Sequence, residues 1–219
     1  MRRIFFITGT DTGVGKTVLT VLLTRHLRAQ GLRVRAVKPF CSGGREDVEA
    51  LFAAQEGQFA LDDINPWYFR SPLTPLLAAR RERRRVTLAQ AVNFLRTATC
   101  ATDVLLAEGA GGLLSPLGEG FSARELIQTT RATPLFVCPN RLGAINQARL
   151  VWAALSPAAA ARARLVLVSQ SRPDPSPPGN CRLLAKLLGT ARLVPLPWLA
   201  DATDLDPSPL RRELARMVE

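Results

Sequence analysis

Residues Gly9–Thr17 read G-T-D-T-G-V-G-K-T, and this stretch constrains the fold more than any other part of the chain. The apolar run Ile4–Ile7 precedes it. A segment over residues 16–29 follows, with Leu19, Leu22, Leu23 and Leu27 on one helical face. Strand, glycine turn and helix in that order build an anion cradle. Glycine lets backbone N–H groups approach closely, and the helix aims its positive N-terminal end at the anion. Lys16 adds a mobile charge for β and γ phosphates, and the Thr17 hydroxyl can ligate Mg²⁺. Five residues separate Gly9 from Gly15, one more than the usual spacing. A nucleoside triphosphate is therefore expected on Thr10, Asp11, Gly13, Val14, Gly15, Lys16, Thr17 and Val18.

The rest of the chain repeats the alternation. Further strands are expected at Arg33–Lys38, Asp103–Ala107, Pro134–Cys138, Arg164–Val168 and Leu193–Val194, and further helices at 46–54, 87–99, 143–155, 181–188 and the C-terminal end. The stretch from Asn65 to Pro75 reads as a proline-rich loop. Short buried strands alternating with helices predict an α/β fold: a doubly wound, mostly parallel sheet with helices on both faces. No linker or internal repeat interrupts it, so residues 1–219 are expected to form a single domain. In such sheets ligands bind at the carboxyl ends of the strands.

The net charge of +11 raises the question of nucleic acid. The densest run, Arg80, Arg81, Arg83, Arg84 and Arg85, has no aromatic residues interleaved for base stacking. It reads as a solvated face, and no nucleic-acid partner is expected. No segment is apolar and long enough to span a membrane, and the N-terminal apolar run is too short for a secretory signal. Cys41, Cys100, Cys138 and Cys181 are scattered, without the paired spacing of a zinc site or a disulfide framework. A cytoplasmic protein with reduced thiols is the expectation. His26, the single histidine, falls in a helical pattern and is read as a surface or helix-packing residue.

Three more turns follow strands and so share an edge with the glycine loop. K-P-F-C-S-G, Lys38–Gly43, puts a lysine where a γ-phosphate would lie. Asp47 follows at a helix start, where it either reaches a metal or simply complements the helix dipole. E-G-A-G-G, Glu108–Gly112, sets an acid beside glycines, which suits a metal site close to ligand. N-R-L-G-A-I-N, Asn140–Asn146, either offers amides to a carboxylate or only caps a helix.

In this order the motifs resemble those of the dethiobiotin synthetases, ATP-dependent carboxylases of biotin biosynthesis. The matching pieces are G-T-D-T-G-V-G-K-T, K-P-F-C-S-G, N-P-W-Y-F-R-S-P-L-T-P, E-G-A-G-G-L-L-S-P, R-L-G-A-I-N and P-L-P-W-L-A. The resemblance implies a P-loop fold of roughly seven strands. It implies ligation of 7,8-diaminononanoate and CO₂ with cleavage of ATP, and a homodimer with substrate between the subunits. Residue by residue it implies phosphate binding by Lys16 and the loop, and Mg²⁺ held by Thr17, Asp47 and Glu108, with Gly111 and Gly112 close to the nucleotide. Thr12, Lys38 and Ser42 would surround the carbamate and the transferred phosphoryl group. Gly143, Ala144 and Asn146 would bind the substrate carboxylate from the partner subunit. Pro197, Trp198 and Leu199 would lie near the base.

The chain departs from the family pattern at Ser169-Gln170, where relatives commonly place the Asn that reads adenine. Ser169 and Gln170 are thus expected beside the base, with other nucleoside triphosphates accepted. Two competing readings remain. A relative in the same P-loop group would act on another substrate. A switch ATPase of the partition kind would carry a second lysine early in the loop, where this chain has Thr10 to Val14.

Overall fold

The computed structural model describes residues 3–199 and 208–218. In chain order, β1 is Arg3–Gly9, α1 Lys16–Ala29, β2 Val34–Val37, β3 Phe40–Ser42, α2 Glu46–Ala54, α3 Leu61–Ile64, β4 Trp67–Phe69, α4 Pro75–Arg81 and α5 Leu88–Ala98. Then come β5 Val104–Glu108, β6 Pro116–Gly118, β7 Phe121–Ser122, α6 Ala123–Thr130, β8 Thr133–Pro139, α7 Ala144–Ala154, α8 Pro157–Arg162, β9 Arg164–Val168, α9 Pro177–Leu188, β10 Leu193–Leu196 and α10 Ser208–Val218.

The main sheet has six strands in the order β10-β9-β8-β1-β5-β2, and every pairing in it is parallel. These are the six strands expected from the apolar runs. Two short ribbons, β3–β4 and β6–β7, lie outside this sheet.

Alternation along each strand divides the interior into two layers. Phe6, Leu105, Phe136 and Leu165 face one side and pack with Leu95, Leu126, Ala148 and Leu184 of α5, α6, α7 and α9. Phe5, Ile7, Leu106 and Val137 face the other and pack with Leu22, Leu51 and Leu214 of α1, α2 and α10. Each fully buried leucine here contributes about 1.5–3 kcal/mol of apolar burial, and Leu19, Leu22, Leu23 and Leu27 are all at 0% exposure. That face fixes α1 against β1, which in turn fixes the glycine loop between them.

The segment read as a proline-rich loop is more structured than its composition indicates. Trp67–Phe69 pairs with Phe40–Ser42, and Pro75 sits in the first turn of α4, where its missing N–H costs nothing. The ring of Phe40 stacks on Trp67 at 4.9 Å. The arginine run is partly structural as well. Arg80 pairs with Glu119 through two bonds, and Arg84 lies over Phe69 while donating to the Tyr68 carbonyl.

Candidate active site: a phosphate loop facing a buried carboxylate–lysine cluster

The loop between β1 and α1 is shaped by its glycines. Gly13 and Gly15 have φ of 69° and 97°, which side chains disfavour. A Cβ on Gly9 would stand 2.6 Å from Val14 Cγ2. The loop continues the sheet's hydrogen bonding, since the Thr10 N–H donates to the Val137 carbonyl at 3.0 Å. On the neighbouring strand the Gly109 N–H donates to Ile7 at 2.8 Å. Gly112 packs on the loop's entry, and a Cβ there would be 3.4 Å from the Gly9 and Thr10 carbonyls. The Ser115 hydroxyl accepts from the Gly112 N–H at 3.0 Å and closes the E-G-A-G-G turn.

Thr12, Gly13, Gly15, Lys16, Thr17, Val18, Lys38, Ser42, Asp47, Glu108 and Gly111 line one cavity of about 580 Å³. The structure thus brings together residues from three separate motifs and Asp47. Several lining residues were not singled out from sequence: Phe40, Cys41, Pro72–Pro75, Ala110 and Ser115.

Glu108 is the hub. It ends β5, at 0% exposure. Its Oε1 accepts from Thr17 Oγ1 and from Lys38 Nζ, each at 2.7 Å, and its Oε2 accepts from Thr20 Oγ1 at 3.0 Å. Lys38 Nζ also donates to Asp47 Oδ2. Thr20 is a further site residue that the motifs did not indicate; its signal is its place one helical turn after Lys16, on the side of α1 facing the sheet. Asp47 lies in the first turn of α2, and its carboxylate reaches Lys38, so it belongs to the cluster as well as to the helix end.

Charge decides the ionisation of these groups. Burial acts to lower the Lys38 pKa, but the Glu108 and Asp47 carboxylates outweigh it and hold the ammonium charged. Burial acts to raise that of Asp47; Lys38 and the Thr17 hydroxyl reverse the shift and lower it. Lys16 differs. Its Nζ donates to the Asp11 carbonyl at 2.8 Å, and burial lowers its pKa despite the pull of Glu108. The residue is only 6% exposed, because the loop wraps its stem.

The two carboxylates and the Thr17 hydroxyl form an all-oxygen donor set, the kind that the hard cation Mg²⁺ takes. Among the described residues no group of three or more His, Cys, Asp or Glu side chains could hold a metal. A metal here would complete its shell with phosphate oxygens and water, which is the usual Mg²⁺ arrangement.

Of the residues expected on the nucleotide, Thr10, Asp11, Val14 and Gly112 are not among the lining residues, and two further expected groups lie outside this cavity. Ser169, Gln170, Pro197, Trp198 and Leu199 sit at the carboxyl ends of β9 and β10, on the same sheet edge. They adjoin the loop, since a Cβ on Gly15 would touch Val168 at 4.0 Å. The Ser169 N–H is taken by the Leu196 carbonyl at 2.9 Å, and Trp198 is 53% exposed. Gly143, Ala144 and Asn146 open α7 after β8. Here the expected free amides are partly in use: the Leu142 N–H donates to Asp174 Oδ2, and that of Ala144 to the Arg141 carbonyl. Along α7 the apolar residues Ile145, Leu150 and Val151 do not share one exposure. Ile145 and Val151 pack on the chain's own core, and Leu150 is exposed.

A family model described as an AAA domain matches residues 3–205. An ATP-dependent dethiobiotin synthetase of Anaeromyxobacter dehalogenans is 38% identical over 202 residues, covering 90% of this chain and 90% of the relative. The enzyme of that name from Bacillus licheniformis is 32% identical, over 91% of this chain and 87% of its own. The corresponding protein of Escherichia coli is 30% identical, over 95% and 94%. Among solved structures, the signal recognition particle receptor FtsY of Mycoplasma mycoides superposes with a TM-score of 0.56 at 15% identity, covering 99% of this chain and 67% of that one. At that identity the likeness concerns the fold alone. With identity at this level across nine-tenths of its length, the chain belongs to the family of ATP-dependent dethiobiotin synthetases.

Proposed function

We propose that this protein makes dethiobiotin from 7,8-diaminononanoate, CO₂ and ATP, releasing ADP and phosphate. The observation that carries the reading is the single cavity in which the phosphate loop, Lys38, Ser42, Asp47 and Glu108 converge, in a chain of this family.

The chemistry matches the residues. One amine of the substrate attacks CO₂, loses a proton and becomes an N-carbamate. A carbamate oxygen then takes the γ-phosphoryl group of ATP, giving a carbamic–phosphoric anhydride and ADP. The second amine attacks the carbonyl carbon, phosphate leaves and the cyclic urea closes. Only about one free alkyl amine in a thousand is neutral at pH 7, and the first step needs that form. The cations of Lys16 and Lys38 lower an amine's pKa nearby and stabilise the carbamate anion. Lys16 and the loop amides orient the triphosphate and hold its developing charge. Thr12 and Ser42 line the space where the carbamate would sit. Asp47, Glu108 and Thr17 would hold Mg²⁺, which when bound neutralises charge on the phosphate oxygens. No side chain in the cavity is needed as a general base if the amine arrives neutral.

The base would lie by Ser169, Gln170, Pro197, Trp198 and Leu199, outside the lined cavity. The Gln170 amide donates to the Val168 carbonyl at 3.3 Å, so part of its hydrogen-bonding capacity is already engaged. We read this as a site with weak choice of base. The substrate carboxylate would meet Gly143, Ala144 and Asn146 of a second subunit. A homodimer fits their absence from this chain's own cavity and the exposure of Leu142 and Leu150 at that end. A monomer by light scattering that still turns over would refute the shared site. A cytoplasmic, soluble enzyme is the corresponding setting; in the described residues no helix is long and apolar enough to cross a membrane.

The reading is tested by phosphate release from ATP. Release should require diaminononanoate and bicarbonate together. Release that ignores either one would exclude a ligase and favour a simple ATPase.

A further inference from the structure

Lys38 takes up the oxygens that a metal would need. Its Nζ stands 2.7 Å from Glu108 Oε1 and contacts Asp47 Oδ2 as well. The third donor, Thr17 Oγ1, is turned to the same Glu108 oxygen at 2.7 Å. All three oxygen groups proposed to hold the metal are therefore satisfied from within the chain. The ammonium that satisfies two of them is a monovalent counter-ion, nearly enclosed, with 7% of its side chain exposed.

We propose that Lys38 and the divalent cation compete for the Asp47–Glu108 carboxylate pair, so that metal entry expels the Lys38 ammonium into the cavity. The inference rests on the metal reading of the previous subsection and deepens it. The physical argument is charge. The pair carries two negative charges when ionised. An ammonium offsets one of them and stands within hydrogen-bond distance of both groups. A divalent ion on the same oxygens offsets both and repels the ammonium, and at that separation, beside the fully buried Glu108, the repulsion is strong. A lysine has a flexible four-carbon stem and can move. The space open to it is the cavity lined by Thr12 and Ser42, where the carbamate is proposed to form. Metal loading and delivery of a cation to the carbamate become one event. Without metal, Lys38 is stored on the carboxylates, and the buried Glu108 charge is never left uncompensated beside the half-exposed Asp47. With metal, the same lysine is released to the reacting end of the substrate.

Competition makes a prediction opposite to that of a merely helpful lysine: removing it tightens metal binding. The test is a titration of the full-length protein with Mn²⁺ alone, followed by water-proton relaxation above neutral pH, without nucleotide. Lys38→Met and Lys38→Gln should each bind Mn²⁺ roughly tenfold tighter than wild type, and Lys38→Arg, which keeps a cation there, should not. Using two neutral variants guards against one that folds poorly. Asp47→Asn is measured alongside and should weaken Mn²⁺ binding. If Asp47→Asn weakens binding while the neutral Lys38 variants bind as wild type or more weakly, the exchange is overturned and the metal site stands. If Asp47→Asn leaves affinity unchanged, the metal site itself is wrong, and the exchange falls with it.

Discussion

The two halves of the sheet's carboxyl edge are built differently. On one half, at the ends of β1, β2 and β5, the side chains of Thr17, Thr20 and Asp47 converge on the buried Glu108–Lys38 pair. On the other half, at the ends of β9 and β10, Ser169 and Gln170 bond mainly to nearby backbone, and Trp198 stands half in solvent. The first is a preorganised polar network in a low-dielectric setting, where each hydrogen bond and charge counts heavily. The second makes few specific demands on a ligand. On the proposed function, affinity and chemistry would reside at the phosphate end, and the base end would contribute little discrimination. Substitutions should therefore have large effects on one side and small effects on the other.

The largest effect is expected at Lys16. Lys16→Ala should reduce turnover by at least about a hundredfold, through lost stabilisation of phosphoryl charge. Its melting temperature should barely change, because burial of this ammonium is unfavourable, as its lowered pKa shows. Turnover near wild type would sink the phosphate-loop assignment.

Glu108→Gln comes next. It keeps the shape and removes the charge that Lys38 and a metal both require. Removing one partner of a buried pair costs about 3–5 kcal/mol when the other is left alone. Lys38 retains Asp47 here, so a loss of about 1–3 kcal/mol in denaturant unfolding is expected. The Mg²⁺ concentration for half-maximal activity should rise more than the KM for nucleotide. An unchanged Mg²⁺ titration would remove Glu108 from the metal group.

On the loose side, ATP, GTP and CTP should support turnover with kcat/KM within about tenfold, a difference of ~1.4 kcal/mol. A preference for ATP above about a hundredfold would show that Gln170, or backbone near Pro197, reads the base after all.

The smallest effect lies away from both halves and calibrates them. Glu125 closes the capping box of α6 with Ser122. Burial acts to raise its pKa, but bonds from the Ser122 hydroxyl and amide and from Arg124 bring it down to about 2. A depressed carboxyl pKa stabilises above the unfolded value and loses that contribution as pH falls. Glu125→Ala should thus cost about 1 kcal/mol near neutrality. The gap from wild type should shrink as pH falls from about 4.5 towards 2. A gap independent of pH would mean that the carboxylate is not the stabilising group.

The same contrast governs what the sequence made legible. Strands such as Arg164–Val168 and helices such as 16–29 announce themselves through long periodic apolar patterns. The phosphate half is legible because glycine, lysine and acid must stand at fixed places after strands. Thr20 and Ser115 were missed because a single hydroxyl, three residues beyond Thr17 or Gly112, has no composition signal. Their roles arise from the register of α1 and from the turn that Ser115 closes. The three-residue strands Phe40–Ser42 and Trp67–Phe69 are too short for periodicity, and the prolines flanking the second masked it. Burial of Lys16 was also invisible, since only the folded loop encloses its stem.

The most direct test of the central claim is the product itself. The protein is incubated with diaminononanoate, ¹³C-bicarbonate, Mg²⁺ and ATP, and the mixture is analysed by mass spectrometry together with ADP. The account predicts dethiobiotin carrying the label at its urea carbon, formed in equal amount with ADP. ADP formed without a labelled cyclic urea would contradict it.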